Sequence, residues 1–263
     1  MHSVRLIGAF MRTSFQEAAA YRSNFFISLF TSILNLGTGI LGIMVLYGQI
    51  KTVHGWDLNS TLALLGVYLV VSALRGLFMG PSFDSLAGME GEIWSGAFDF
   101  TLLRPLNTQF FVSFRKWRWF SLFDLALGAS VLVYAVTRMG QALTLAQIGM
   151  FCAALVAGVL TLYAILLAFA GLVFWSPEVL FTWLFNGIFQ MARYPVGVYP
   201  GWLKLVLTWV IPVGVITTLP AQALTGALSG WTLAGAVLLA LALSAAASLL
   251  FRTGLRHYAS ASS

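Results

Sequence analysis

Charge is scarce in this sequence. Lys and Arg number 14 and Asp and Glu 8 among 263 residues, so charged side chains make up only 8%, against roughly a quarter in soluble globular domains. Hydrophobic residues make up 60% and aromatics 14%. A water-soluble fold of this length leaves too much chain at its surface to hide that apolar content. Disorder is excluded for the opposite reason, because there is so much to bury. Cysteine is almost absent. Cys152 stands alone in an apolar run, which rules out an intrachain disulfide framework and a cysteine-based metal site. His2, His54 and His257 lie far apart and have no spaced ligand partners. The nucleotide-binding P-loop requires a Gly-Lys pair, and none occurs. The Gly-x-Ser-x-Gly elbow and the His-Glu-x-x-His zinc motif are also missing. So are the paired intramembrane carboxylates of an ion-coupled transporter. No dense basic stretch exists, so the net charge of +6 points to membrane orientation rather than nucleic acid.

What is present is a series of long apolar runs. At about 20 residues per crossing, the chain holds roughly six membrane helices. The expected fold class is an all-α integral membrane protein, one transmembrane domain over 1–263. Residues 3–20 read as an amphipathic interfacial helix: Val4, Ile7, Phe10, Met11, Phe15 and Ala18 share one face, and Arg5, Arg12 and Gln16 the other. Its basic face suits anionic membrane lipid. The alternative is a cytosolic extension of the first crossing. No cleavable signal peptide is expected, because the first apolar run, from near Phe25, is too long for one.

Crossings are expected at 24–48, 60–80, 117–136, 146–175 and 231–251. Gly37, Gly39 and Gly42 in the first, and Ala236/Ala240 and Ser244/Ser248 in the last, suit close helix approach. The remaining crossing is ambiguous. Residues 179–194 are short for one, and 202–219 are interrupted by Pro212 and closed by Pro220. With both termini cytoplasmic, Arg5, Arg12, Arg22, Arg104, Arg115, Lys116, Arg118, Arg252 and Arg256 lie inside, and Lys51 and Arg138 outside. This is the positive-inside bias. Taken alone, Arg193 and Lys204 favour 202–219 as the spanning segment. Within helices the notable charges are Arg75 and Asp124, which either pair across the second and third crossings or snorkel to the inner interface.

Residues 84–99 place Leu86, Ile93, Trp94 and Phe98 among Asp84, Glu90, Glu92 and Asp99. Exposed aromatics on a short acidic segment suit a docking knob for a protein groove. Folding back onto the membrane is disfavoured, since the inner leaflet is itself anionic.

The stretch Gly96-Ala97-Phe98-Asp99-Phe100-Thr101-Leu102-Leu103-Arg104-Pro105-Leu106 resembles the signature G-x-L-D-x-x-L-L-R/K-P of ABC-2 family permeases, the type-2 ATP-binding-cassette exporters. Phe98 stands where Leu is usual. A second stretch is similar to the same family: Ala192-Arg193-Tyr194-Pro195, Tyr199-Pro200, Ile211-Pro212 and Leu219-Pro220-Ala221-Gln222-Ala223-Leu224. The resemblance implies a permease with no enzyme activity or cofactor of its own, ATP and magnesium being bound by a separate ATPase subunit. That subunit docks on a coupling helix at about 84–99, within the cytoplasmic loop 81–116. Glu90, Glu92, Ile93, Trp94, Phe98, Asp99, Arg104 and Pro105 are the docking candidates, and the helix of 1–22 is a second contact. A second permease copy, identical or paralogous, completes the pathway, lined by the first, second and fifth helices. The resemblance also implies outer re-entrant helices within 195–229, with Tyr194, Pro195, Tyr199, Pro200, Pro212 and Pro220 as a gate. That reading makes 178–194 the fifth crossing, against the cation count, and broken helices around Pro212 and Pro220 favour it. The expected location is the plasma membrane of a prokaryote, and the expected cargo lipophilic or amphiphilic. The rival readings are a self-sufficient secondary transporter, for which Asp124 is the one acid near a candidate position, and a membrane-embedded enzyme or assembly factor.

Overall fold

The computed structural model describes residues 2–20, 22–88, 90–140, 142–178 and 181–258. Within these the chain is helical and forms no sheet, with a single isolated bridge between Val53 and Trp56. The principal helices are α1 (His2–Ala20), α2 (Arg22–Tyr47), α3 (Leu58–Asp84), α4 (Asp99–Leu102), α5 (Thr108–Phe114), α6 (Ser121–Arg138), α7 (Leu145–Leu172), α8 (Phe181–Phe189), α9 (Gly201–Leu205), α10 (Leu219–Thr225) and α11 (Gly230–His257). Among the described residues, α3, α6, α7, α11 and residues 24–47 of α2 are long and apolar enough to cross a membrane.

Local chemistry sets the helix ends. Asp57 caps α3, its carboxylate accepting from Ser60 N while the Ser60 hydroxyl accepts from Asp57 N. Thr144 and Gln147 form the same reciprocal box at the start of α7. Between α2 and α3 the chain reverses through a two-residue turn. His54 (φ 49°) and Gly55 (φ 83°) both adopt left-handed backbone, as a tight hairpin turn requires.

Hydrogen bonds sort the bundle into two ends. At the turn end, the Asn59 amide donates to Arg138 O (3.1 Å) and Gly226 lies against Gln147. At the loop end, Gly88 N donates to Pro177 O (2.9 Å) and Trp117 N to Ser14 Oγ (3.2 Å).

Helix α3 is the hub. It is apolar all round and its residues from Ser60 to Leu69 are all buried, packed between α6, α2 and the segment 190–225. Helices α2 and α11 are about as apolar and α6 somewhat less so, yet little of each is buried, which suits a hydrocarbon environment. The second large contact joins α7 to α11 through Ala236, Ala240, Ala247 and Phe251, all buried. Of the small residues expected at helix contacts, Ala236 and Ala240 take that place, and Gly37 faces open space.

The α3–α6 contact rests on Gly66 and Gly128. A Cβ at Gly128 would sit 2.8 Å from Val70 N, and one at Gly66 2.8 Å from Leu132 N. Those neighbours are backbone and cannot swing aside. Gly128→Ala should therefore cost about 1–3 kcal/mol, seen as a lowered melting temperature in detergent. Gly149→Ala, which meets nothing within 4 Å, should be neutral. Equal melting of the two variants would show that the α3–α6 contact is looser than described.

Two boundaries differ from the sequence reading. The third crossing starts at Ser121 rather than Trp117, because 115–118 is irregular and 119–120 is a turn. The expected fifth crossing, 178–194, includes Val179 and Leu180, which lie outside the described residues. Its described part is α8 continued by a 3-10 turn at Gln190–Arg193.

Candidate functional site

The segment after α3 is a compact knot of turns. In place of the expected coupling helix over 84–99, the described residues 85–98 form successive turns, and regular helix appears only in α4, four residues long. Glycine explains this. Gly88 (φ 86°) and Gly96 (φ 74°) take left-handed backbone, which interrupts a right-handed helix. The turns close on each other through Glu92 N→Ser85 O (3.0 Å) and Phe98 N→Glu92 O (2.9 Å).

The knot is pinned to α3. Pro81 has no N–H to offer Leu77 O, and α3 widens into a π turn at Arg75–Met79 just before it. The freed Leu77 carbonyl accepts Arg118 N (2.8 Å). One turn on, the Ser82 hydroxyl donates to Lys116 O and accepts from Lys116 N, both at 3.1 Å. Arg115 donates to Glu92 Oε2 (2.5 Å) and to Ser85 Oγ (2.8 Å) and lies over the Phe111 ring. Lys116 approaches Glu92 at 3.8 Å.

The expected docking residues therefore divide. Phe98 is fully buried, edge-on to Phe174 (5.4 Å) and Tyr258 (5.3 Å), and Ile93 is buried too. Neither presents an apolar anchor to a partner. Glu92 is an internal strut rather than a polar rim. Asp99 accepts the Tyr258 hydroxyl (2.9 Å). Burial first, then that hydrogen bond and the Asp99 charge, push the Tyr258 phenol up to about 12, so it stays a donor throughout the neutral range. Trp94 is 51% exposed, and Glu90, Arg104 and Pro105 are exposed. The Arg104 guanidinium lies 4.7 Å from the centre of the Phe111 ring. Phe100 (72% exposed) and Leu103 (80%) complete the outward apolar set. They were not singled out from the sequence, although both lie inside the signature stretch. Their signal is the helical turn itself, which buries Phe98 and Thr101 and turns Phe100 and Leu103 outward.

Helix α1 braces this region with the apolar face the sequence shows. Phe10 meets Phe111 (5.5 Å), Phe15 meets Trp119 (5.7 Å), and Trp119 Nε1 donates to Met11 O (3.2 Å).

At the turn end, prolines break the chain where expected. Tyr194, Tyr199 and Ile211, each preceding a proline, are extended. Residues 201–210 form one arm, α9 with a π turn at Val206–Val210. After Ile211-Pro212, a π turn at Gly214–Thr218 leads into α10, with Pro220 in its first turn. This second arm climbs along α7, from Ile216 against Gly158 to Gly226 against Gln147. Pro195, Pro212 and Pro220 are buried and Pro200 is exposed. The Tyr194 hydroxyl fills the space left by Gly42 of α2. The Tyr199 hydroxyl donates to Met191 O (2.7 Å), and burial, with a smaller effect from Tyr194, pushes that phenol up to about 12. The Thr217 hydroxyl donates to Ala192 O (3.1 Å), tying the second arm to the end of the 3-10 turn.

Residues 33–262 match the family model described as ABC-2 family transporter protein. The chain belongs to the ABC-2 family of transporters. It is a multi-pass membrane protein, the permease component of an ABC transporter rather than a catalyst. No curated protein and no solved structure matches it. The match leaves all of α1 and the first turns of α2 outside.

One expected pair of this ABC-2 permease does not form. Arg75 and Asp124 make no ion pair with each other. Arg75 instead lies over the Phe185 ring (5.9 Å), whereas Asp124 lines a small cavity of about 230 Å³ with Ser28, Asn35, Arg118 and Ser121. Arg75 thus reaches α8, and Asp124 faces α2. From Arg75 an aromatic ladder runs through Phe185, Phe189 and Tyr68 to Arg193. It joins the loop end of α3 to the 3-10 turn at Gln190–Arg193.

Proposed function

We propose that this permease forms half of an export pathway driven by ATP hydrolysis in a separate ATPase subunit. The second half is another permease copy, identical or paralogous. The ATPase, which holds ATP and magnesium, docks on the outward face of 84–105, with α1 as a second contact. Both termini and that loop face the cytoplasm of a prokaryotic cell, and the arms 201–225 form the outer gate. The exposed apolar face of α2, including Phe30, Leu34, Leu41 and Val45, meets the second copy. The observation that carries this reading is mechanical. The loop is fastened to α3 at Leu77 and Ser82, and α3 packs directly on the gate segments. A displacement of the loop is thus passed on to Tyr68, Phe189 and the segment 190–218. The cargo is lipophilic or amphiphilic, since no carboxylate lies among the aromatic contacts between α3 and α8.

Trp94→Ala should weaken retention of the ATPase on co-purification by about 2 kcal/mol, some 30-fold in affinity, as loss of an aromatic anchor typically does. Glu90→Ala, at an exposed rim position, should cost about 1 kcal/mol or less. Neither change should alter the melting of the permease alone. Full ATPase retention by Trp94→Ala, and by Phe100→Ala beside it, would overturn the docking site.

A further inference from the structure

A cleft of about 1090 Å³ opens between α11, the two broken arms and the 53–56 turn. No residue of α2 lines it, so it is separate from the face assigned to the second copy. Its long wall is α11 from Thr232 to Ala242. Ten residues at 1.5 Å each give about 15 Å of depth, half of a hydrocarbon core about 30 Å thick. The cleft is therefore as deep as one leaflet.

Its chemistry is graded along that depth. Leu238, Leu239 and Ala242 line the deeper part of the α11 wall, with Val215 and Leu219 on the facing arm, while Thr232 and Gln222 lie towards the turn end. Lys204 supplies positive charge and His54 an imidazole N–H donor. No lining residue is acidic, and among the described residues Lys204 forms no ion pair. His54 is held over the cleft by its left-handed turn, with Gly197 beneath it. Snorkelling alone would account for a lysine at a membrane interface. It does not account for a leaflet-deep cleft with two basic side chains and no acid.

We infer that this cleft binds one anionic phospholipid from the outer leaflet, its phosphate on Lys204 and His54 and an acyl chain along α11. The choice of leaflet rests on the orientation proposed above, whereas lipid binding does not, because it is measured on the permease alone.

The test uses the full-length permease in nanodiscs, with spin-labelled phosphatidylglycerol and spin-labelled phosphatidylcholine of the same chains as probes. Wild type should immobilise phosphatidylglycerol about 10-fold in preference to phosphatidylcholine. Lys204→Gln, at an exposed position that the fold does not need, should remove most of that preference, and Lys204→Glu should abolish it. Ala242→Trp fills the deep end and should reduce immobilisation of both probes. Where Ala242→Trp lowers the melting temperature, Leu239→Phe takes its place. Equal immobilisation of the two lipids by wild type would overturn the inference. So would a preference that survives Lys204→Gln, or immobilisation unchanged by filling the cleft. Displacement of the labelled lipid by millimolar inorganic phosphate would also overturn it, showing an anion site without a lipid.

Discussion

Glu92→Ala is expected to release the loop 85–118 while leaving the long helices in place. The Glu92 carboxylate is the counter-charge of Arg115, whose side chain is only 8% exposed and whose Nη1 makes the contact. Removing one member of a buried pair leaves the other charge desolvated and typically costs about 3–5 kcal/mol. Glu92 is itself partly solvated, so the lower end, about 3 kcal/mol, is expected. A rim contact would have cost about 1 kcal/mol or less. Limited proteolysis should show new cleavage between 85 and 104, and the melting temperature in detergent should fall. Glu92→Leu with Arg115→Met should recover most of the loss, because an apolar pair of similar size requires no counter-charge. If Glu92→Ala melts and resists protease like wild type, the ion pair is not a fastening, and the path from loop to α3 loses its main support.

The long helices were legible because the bilayer sets a length and demands apolar side chains all along it. Both constraints act on the sequence directly. The α3 run at 60–80 and the α7 run at 146–175 were found within a few residues of Leu58–Asp84 and Leu145–Leu172. The broken segment 194–220 was legible through its prolines, since Pro195, Pro200 and Pro212 each force the residue before them into extended geometry. Direction was not legible. Nothing in the composition of 84–105 says that Phe98 points inward and Phe100 outward, because both are large and apolar and the turns that lead into α4 are set by Gly88 and Gly96. Glu92 reads as a surface acid until Arg115 is brought to it from 23 residues away. The Arg75–Asp124 pair does not form because the two side chains reach different neighbours, Arg75 the Phe185 ring and Asp124 the cavity beside α2.

Phe98→Ala should be among the most damaging single changes in the loop. The ring is fully buried between Phe174, just beyond α7, and Tyr258, just beyond α11, and those two also approach each other at 6.0 Å. Truncation removes the packing that gathers the ends of α7, α11 and the docking segment, and the two remaining rings cannot close the gap without moving helix ends. Phe→Ala in a packed core costs about 3–5 kcal/mol. Phe98→Leu should cost far less, about 1–1.5 kcal/mol, and leucine is the residue that the related permease signature carries there. Thermal unfolding of the purified permease reads the difference, and co-purification with the ATPase reads its consequence. Loss of ATPase retention should follow loss of stability, with Phe98→Leu retaining both. The opposite pattern, with Phe98→Ala melting like wild type but failing to hold the ATPase, would mean that this ring enters the partner's groove and that its burial within the permease is wrong.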